Sequence, residues 1–149
     1  MFAPKHILVP TDFSKYSYEA LDKATGIATQ YNAKIYLLHV IPEHIKQCTA
    51  TYCLDGRLVK QLEKQSVEGA KEKLKKDADA IAQEKGVKIS VGIKKGVPQE
   101  VILNEQVGKK IDLIVLASHG QSGILRQLIG SVADKVVRGA KCPVLVVKS

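Results

Sequence analysis

Apolar residues fall along this chain in two alternating patterns: short unbroken runs, and longer stretches in which they recur every three or four positions. The runs are His6 to Pro10, Ile35 to Val40, Ile111 to Ala117 and Val144 to Val147, rich in β-branched residues or Leu. An unbroken apolar run fits a strand covered on both faces, as in a parallel sheet. Lys88 to Ile93 is different. There Ile89, Val91 and Ile93 alternate with polar or small residues, which predicts an edge strand with one wetter face.

Helical stretches lie between the runs. Ala20, Ala24, Ile27, Ala28 and Tyr31 predict a first helix, with Ser14 available as its N-cap. Leu58, Leu62, Val67, Ala70, Leu74, Ala78 and Ile81 predict a longer one, stopped by Gly86. Pro98 suits the first turn of a third, running through about Val107 and closed by Gly108. Leu128, Val132, Val136 and Val137 mark a fourth. The order βαβαβαβαβ calls for right-handed crossovers and an open five-stranded parallel α/β sheet with helices on both faces. No Ser/Gly/Pro-rich linker divides the 149 residues, so a single domain over residues 1–149 is expected. Only Ile41 to Arg57 lacks a clear period, and a connection of that length fits a lid, a partner-contact loop or a disordered tip.

The net charge of +8 raises the question of nucleic acid. Most lysines of the long helical stretch, Lys60 to Lys85, alternate with Glu63, Glu68, Glu72, Asp77, Asp79 and Glu84, which is the pattern of a solvated helix face. With no Trp and only two Phe, no basic run carries aromatics for base stacking, so nucleic acid is not the expected partner. The positive field still favours a phosphate-bearing small ligand. No apolar run approaches the ~20 residues of a membrane span. The segment Met1 to Phe13 holds only Ile7-Leu8-Val9 as an apolar stretch. Three cysteines, an odd number, fit reduced thiols, and a cytoplasmic protein is expected.

In an open parallel sheet, ligands bind beyond the carboxyl ends of the strands, where strand order reverses. The residues to weigh are therefore Pro10-Thr11-Asp12-Phe13-Ser14 after the first strand and Val40-Ile41-Pro42 after the second. After the fourth come Ala117-Ser118-His119-Gly120 and Gly123, and then Gly130-Ser131 opens the last helix. A helix N-terminus offers unbonded N–H groups and a positive dipole end, which bind phosphate without a charged side chain. Taken alone, Gly130-Ser131 is also an ordinary Ser cap with a Gly turn. Gly120 and Gly123 add a small-residue cradle facing the same crevice. Neither G-x-x-x-x-G-K-[ST] nor G-x-G-x-x-G after a strand is present. Asp12 also reads as a turn former, and His119 as a loop histidine or a donor to phosphate. His44, Cys48 and Cys53 have a zinc-like spacing but no fourth ligand in sequence, and Cys142 before Pro143 reads as structural.

These residues resemble the universal stress proteins that bind ATP. That family shares G-x-x-G-x₉-G-[ST] after the fourth strand and a P-x-D-x-S-like turn after the first. This chain has Ala117-Ser118-His119-Gly120, nine residues, then Gly130-Ser131, and Ile7-Leu8-Val9-Pro10-Thr11-Asp12-Phe13-Ser14 at its start. Leu37-Leu38-His39-Val40 and Lys141-Cys142-Pro143-Val144-Leu145-Val146-Val147 are similar too. The resemblance implies strand order 3-2-1-4-5, with Asp12 and Gly120 facing each other across one crevice. It further implies that Pro10, Thr11 and Asp12 contact ribose and α-phosphate, and that the Val40 backbone reads adenine. Gly120, Gly130, Ser131 and the Val132 N–H would hold the phosphates of ATP, with any Mg or Mn ion seated on those phosphates. A homodimer through Val144–Val147, a stress-response sensor or regulator role, and an unknown regulatory partner are implied as well.

One position departs from the motif: Ala117 stands where the first glycine is expected. Its methyl would matter if it crowded a phosphate or opposed a backbone with positive φ. Two other readings remain. A slow ATPase or phosphotransferase would want a positioned base and a cation on the γ-phosphate. Asp12 is the only carboxylate in the expected crevice and Arg126 the only cation near the loop. The third reading is a structural homodimer that has lost its ligand.

Overall fold

In the computed structural model, which describes residues 1–43, 56–120 and 129–148, each unbroken apolar run becomes a strand and each periodic stretch a helix. The order is β1 (His6–Pro10), α1 (Lys15–Tyr31), β2 (Lys34–Ile41), α2 (Gly56–Lys85), β3 (Lys88–Lys95), α3 (Pro98–Gly108), β4 (Leu113–Ala117), α4 (Ser131–Gly139) and β5 (Val144–Val147). The strands form one sheet of order β3-β2-β1-β4-β5 with every pair parallel. This is the expected topology. Residues 44–55, 121–128 and 149 lie outside the described residues, and with them His44, Cys48, Cys53, Gly123, Arg126, Leu128 and most of the connection after Ile41.

Neighbouring residues of a strand point to opposite faces, and here both faces are covered. Ile7, Val9, Ile35, Leu37, Leu113 and Val115 face a core shared with Ala20, Ala24 and Ala28 of α1 and Leu74 of α2. Leu8, Tyr36, Leu38, Ile114 and Leu116 face a second core with Ile102 of α3 and Ala133 and Val136 of α4. Fully burying a Leu or Ile side chain contributes roughly 1.5–3 kcal/mol, so the two layers supply the main drive for folding. The alanines on α1 let that helix sit close to the sheet.

Element ends follow local chemistry. The Ser14 hydroxyl accepts from Ser17 N–H at 3.2 Å, the cap expected of it. Gly86 ends α2 at φ 66°. Helix α1 ends on Asn32 in the left-handed region, φ 52°, a stop not read from the sequence although Asn tolerates that conformation. Strand β4 begins at Leu113 rather than Ile111, because the Asp112 carboxylate accepts from the Lys5 and His6 N–H groups at 2.9–3.1 Å and turns the chain there. Ile111 is still buried, which is why it reads as strand. Strand β3 runs to Lys95 because Val40↔Lys94 and Ile41↔Lys95 pair through the backbone whatever their side chains.

Tyr36 places a polar group in the second core. Its ring passes over Gly92, where even a Cβ would collide with the ring and hydroxyl. The hydroxyl donates to Glu105 Oε2 at 2.9 Å, and Lys109 Nζ stands 4.4 Å from the ring centroid. Burial pushes the hydroxyl's pKa well above the ordinary tyrosine range near 10, and the bond to Glu105 and its charge push the same way. The folded protein therefore keeps this proton at pH values where the unfolded chain releases it. The stabilisation is complete below the unfolded pKa and drains away as pH rises above ~10. Urea unfolding at pH 9 and pH 11 should show a smaller alkaline loss for Tyr36→Phe than for the wild type. Equal losses would mean that the hydroxyl is not held as described.

Candidate functional site

The sheet's one reversal of strand order lies between β1 and β4. From β1 the chain crosses to α1 on one face, and from β4 it passes to α4 on the other. With the following helices on opposite faces, a crevice lies between the ends of the two strands. A cavity of about 330 Å³ fills it, bordered by the ends of β1, β2 and β4 and the start of α4.

The first wall is Pro10-Thr11-Asp12. Thr11 is buried; its N–H donates to the Leu38 carbonyl at 2.8 Å, and its hydroxyl lies 3.1 Å from Ser17 Oγ. The Asp12 carboxylate accepts from Ser14 N–H at 3.0 Å, closing a tight turn. Its other oxygen lies 2.9 Å from where a Cβ on Gly120 would stand. Gly120 is thus small because Asp12 approaches it, and the two do face each other across the crevice.

The second wall is apolar, built from Leu38, His39 and Val40 at the end of β2 with Pro98 and Ile102 of α3. The third runs from Ala117 through Ser118, His119 and Gly120 to Gly130, Ser131 and Val132. Gly130 caps α4 with no side-chain bond, so Ser131 is the first helical residue rather than the cap. The Gly130 N–H donates to the Ser118 carbonyl at 2.6 Å, and a Cβ on Gly130 would meet that same oxygen at 2.9 Å. The small residue lets Ser118, just past β4, lie against the helix start. At the first turn of α4 the next N–H groups have no earlier carbonyl within the helix to bond, and they carry the positive end of its dipole.

All nine residues singled out from the sequence border this one cavity: Pro10, Thr11, Asp12, Val40, Ala117, Gly120, Gly130, Ser131 and Val132. Ser118, weighed in the sequence with its neighbours, borders it too, and so do His39, Pro98 and Ile102, which were not anticipated. His39 was detectable in principle, since the β1–β2 register puts the end of β2 beside Thr11. Its Nδ1 lies 2.8 Å from the Thr11 carbonyl oxygen. His119 is half-buried in the wall, its Nδ1 2.9 Å from Ser118 Oγ and its ring 6.2 Å from that of Tyr16. Among the described residues, no lysine or arginine lines the cavity. Polarity at the α4 end therefore comes from hydroxyls, backbone N–H groups, histidine and the Asp12 carboxylate.

Away from the cavity, burial and the nearby Asp112 carboxylate raise the Cys142 thiol pKa, as suits a packing role. Among the described residues, no cluster of His, Cys, Asp and Glu could hold a metal ion, and no helix is long and apolar enough to cross a membrane.

Comparison with known proteins covers nearly the whole chain. The universal stress protein family profile matches residues 4–148. Universal stress protein MJ0531 of Methanocaldococcus jannaschii is 38% identical over 147 residues, covering 97% of this chain and 82% of the relative. The solved structure of MJ0577 superposes with a TM-score of 0.86 at 32% identity, covering 99% of this chain and 98% of the other. A universal stress protein solved in complex with cAMP superposes at 0.66 with 26% identity, covering 99% and 98%.

Ala117 ends β4 in regular pairing with Val147, and it is not among the described non-glycine residues with positive φ. Its methyl belongs to the core under α1, on the same face as Leu113 and Val115. Ala117→Gly should therefore lose about 1 kcal/mol of stability, as expected for glycine in a strand that also gives up a packed methyl. Chemical denaturation checks this, and a gain in stability would show that the methyl is strained.

Proposed function

This chain belongs to the universal stress protein family, and from that premise we propose that it binds an adenine nucleotide, ATP foremost, as a cytoplasmic sensor or regulator made of one domain. The observation that carries the proposal is the pairing of an apolar slot with a helix N-terminus in a single cavity. The slot beside Val40, Pro98 and Ile102 suits a flat base, and the α4 end suits phosphate. The relative solved with cAMP lends support through its own ligand. In this reading Pro10, Thr11 and Asp12 contact ribose and α-phosphate, and the Val40 backbone reads adenine. Gly120, Gly130, Ser131 and the Val132 N–H hold the phosphates, with Ala117 beside them. A Mg or Mn ion would ride on the phosphates and offset charge that no lining lysine or arginine among the described residues neutralises. Occupancy, rather than turnover, is what a regulatory partner would read.

Millimolar ATP with magnesium should raise the melting temperature by several degrees, because saturation at a hundred times Kd stabilises the folded state by about 2.7 kcal/mol. Gly120→Val should abolish the shift, since its side chain would occupy the crevice opposite Asp12. No shift in wild-type protein freed of bound nucleotide would refute the proposal.

The same reading includes a homodimer through β5. That strand ends the sheet with one edge unpaired by any described strand, and Leu145 is 40% exposed. Two-fold pairing of Val144–Val147 with its copy would satisfy the edge and cover Leu145. Sedimentation at tens of micromolar should give twice the 16.2 kDa chain mass, and Leu145→Lys should give the monomer. A wild-type monomer would contradict the dimer.

A further inference from the structure

Phe13 sits beside the cavity without lining it, and packs against the core under α1. Its φ of 62° lies in the left-handed region, and it lacks the short polar side chain that makes this conformation acceptable to Asn32. Two bonds close the turn around it, and the second depends on that φ. The Phe13 N–H donates to Thr11 Oγ1 at 3.1 Å, and the following Ser14 N–H donates to Asp12 Oδ1 at 3.0 Å. At an ordinary negative φ the chain would leave Phe13 in another direction and the Ser14 N–H bond that holds the Asp12 carboxylate would be lost.

Contacts to the ring hold this backbone in place. The Phe13 and His39 rings lie 4.6 Å apart at 38°, and Lys73 Nζ from α2 stands 5.1 Å from the Phe13 centroid. His39 is fixed in turn: a carbonyl only accepts, so its Nδ1, 2.8 Å from the Thr11 oxygen, carries the proton. Strand β2, the loop after β1 and helix α2 thus meet in one stack. That stack surrounds the turn that directs the Asp12 carboxylate at Gly120.

We infer that Phe13 is a positioning residue of the site: its clamped ring keeps a left-handed backbone that aims Asp12 into the cavity and ties that aim to the seating of α2. The inference rests on the nucleotide-binding reading only for its ligand. Phe13→Ala removes the ring and keeps the unfavourable backbone, whereas Phe13→Gly removes the ring and permits positive φ.

Hydrogen exchange followed by NMR tests the clamp without ligand. The Ser14 amide should exchange at least about tenfold faster in both variants, beyond any change at the Leu8 amide, which reports global unfolding. Phe13→Gly should melt above Phe13→Ala. Titration with magnesium ATP in a double-mutant cycle with Asp12→Ala tests the positioning. Phe13→Ala should weaken binding about tenfold when Asp12 is present and less than twofold when it is absent. Unchanged Ser14 exchange, or equal losses in both backgrounds, would overturn the inference. If the wild type binds no ATP, the nucleotide reading falls on its own, and the exchange and melting comparison decides the role of Phe13. Phe13→Gly carries the exchange test should Phe13→Ala fail to fold.

Discussion

Parallel pairing of β1 with β4, Ile7 opposite Leu113 and Leu8 opposite Ile114, is the contact on which the rest of the molecule depends. It places side by side two strands whose following helices lie on opposite faces, and so opens the crevice. It also puts β1 at the centre of the sheet, where Ile7, Leu8 and Val9 are fully buried. Such residues have little freedom to shift, and the Thr11–Asp12 turn inherits their rigidity through the Thr11 N–H bond to Leu38. Strand packing is thereby converted into the placement of a carboxylate.

The cavity divides its chemistry by direction. Toward β2 and α3 it is apolar; toward α4 it offers backbone donors and hydroxyls. A ligand with a flat apolar part and an anionic part would be oriented by this division alone. The Asp12 carboxylate between them favours hydroxyl donors over bare negative charge close by. Glycines at 120 and 130 serve this arrangement by size rather than by unusual φ, one admitting the Asp12 carboxylate and the other the Ser118 carbonyl.

Much of this was legible in the sequence because the signals were physical and local. Unbroken runs report strands covered twice, and Ser14 and Gly86 report helix ends. The order 3-2-1-4-5 came through the resemblance of the two loop motifs, not through periodicity. What was missed depends on contacts distant in sequence. Ile111 looks like strand because it is buried, yet Asp112 accepting from Lys5 and His6 breaks the run. His39 looks like one more position in an apolar strand, and only its register with β1 brings it to Thr11. Phe13 reads as a turn residue, and nothing local signals its positive φ or its stack with His39 and Lys73. Ala117 departs from the glycine motif in sequence, and the fold adds that it is the last packed residue of a regular strand.

The role of the protein rests on what the crevice between β1 and β4 binds. The most direct measurement is chromatography with mass identification of the acid extract from freshly purified protein, paired with equilibrium dialysis of the emptied chain against ATP. An adenine nucleotide in the extract is expected, or saturable uptake of ATP approaching one per chain on dialysis. An extract without nucleotide, together with no saturable uptake at millimolar ATP and magnesium, would contradict a nucleotide site in this crevice.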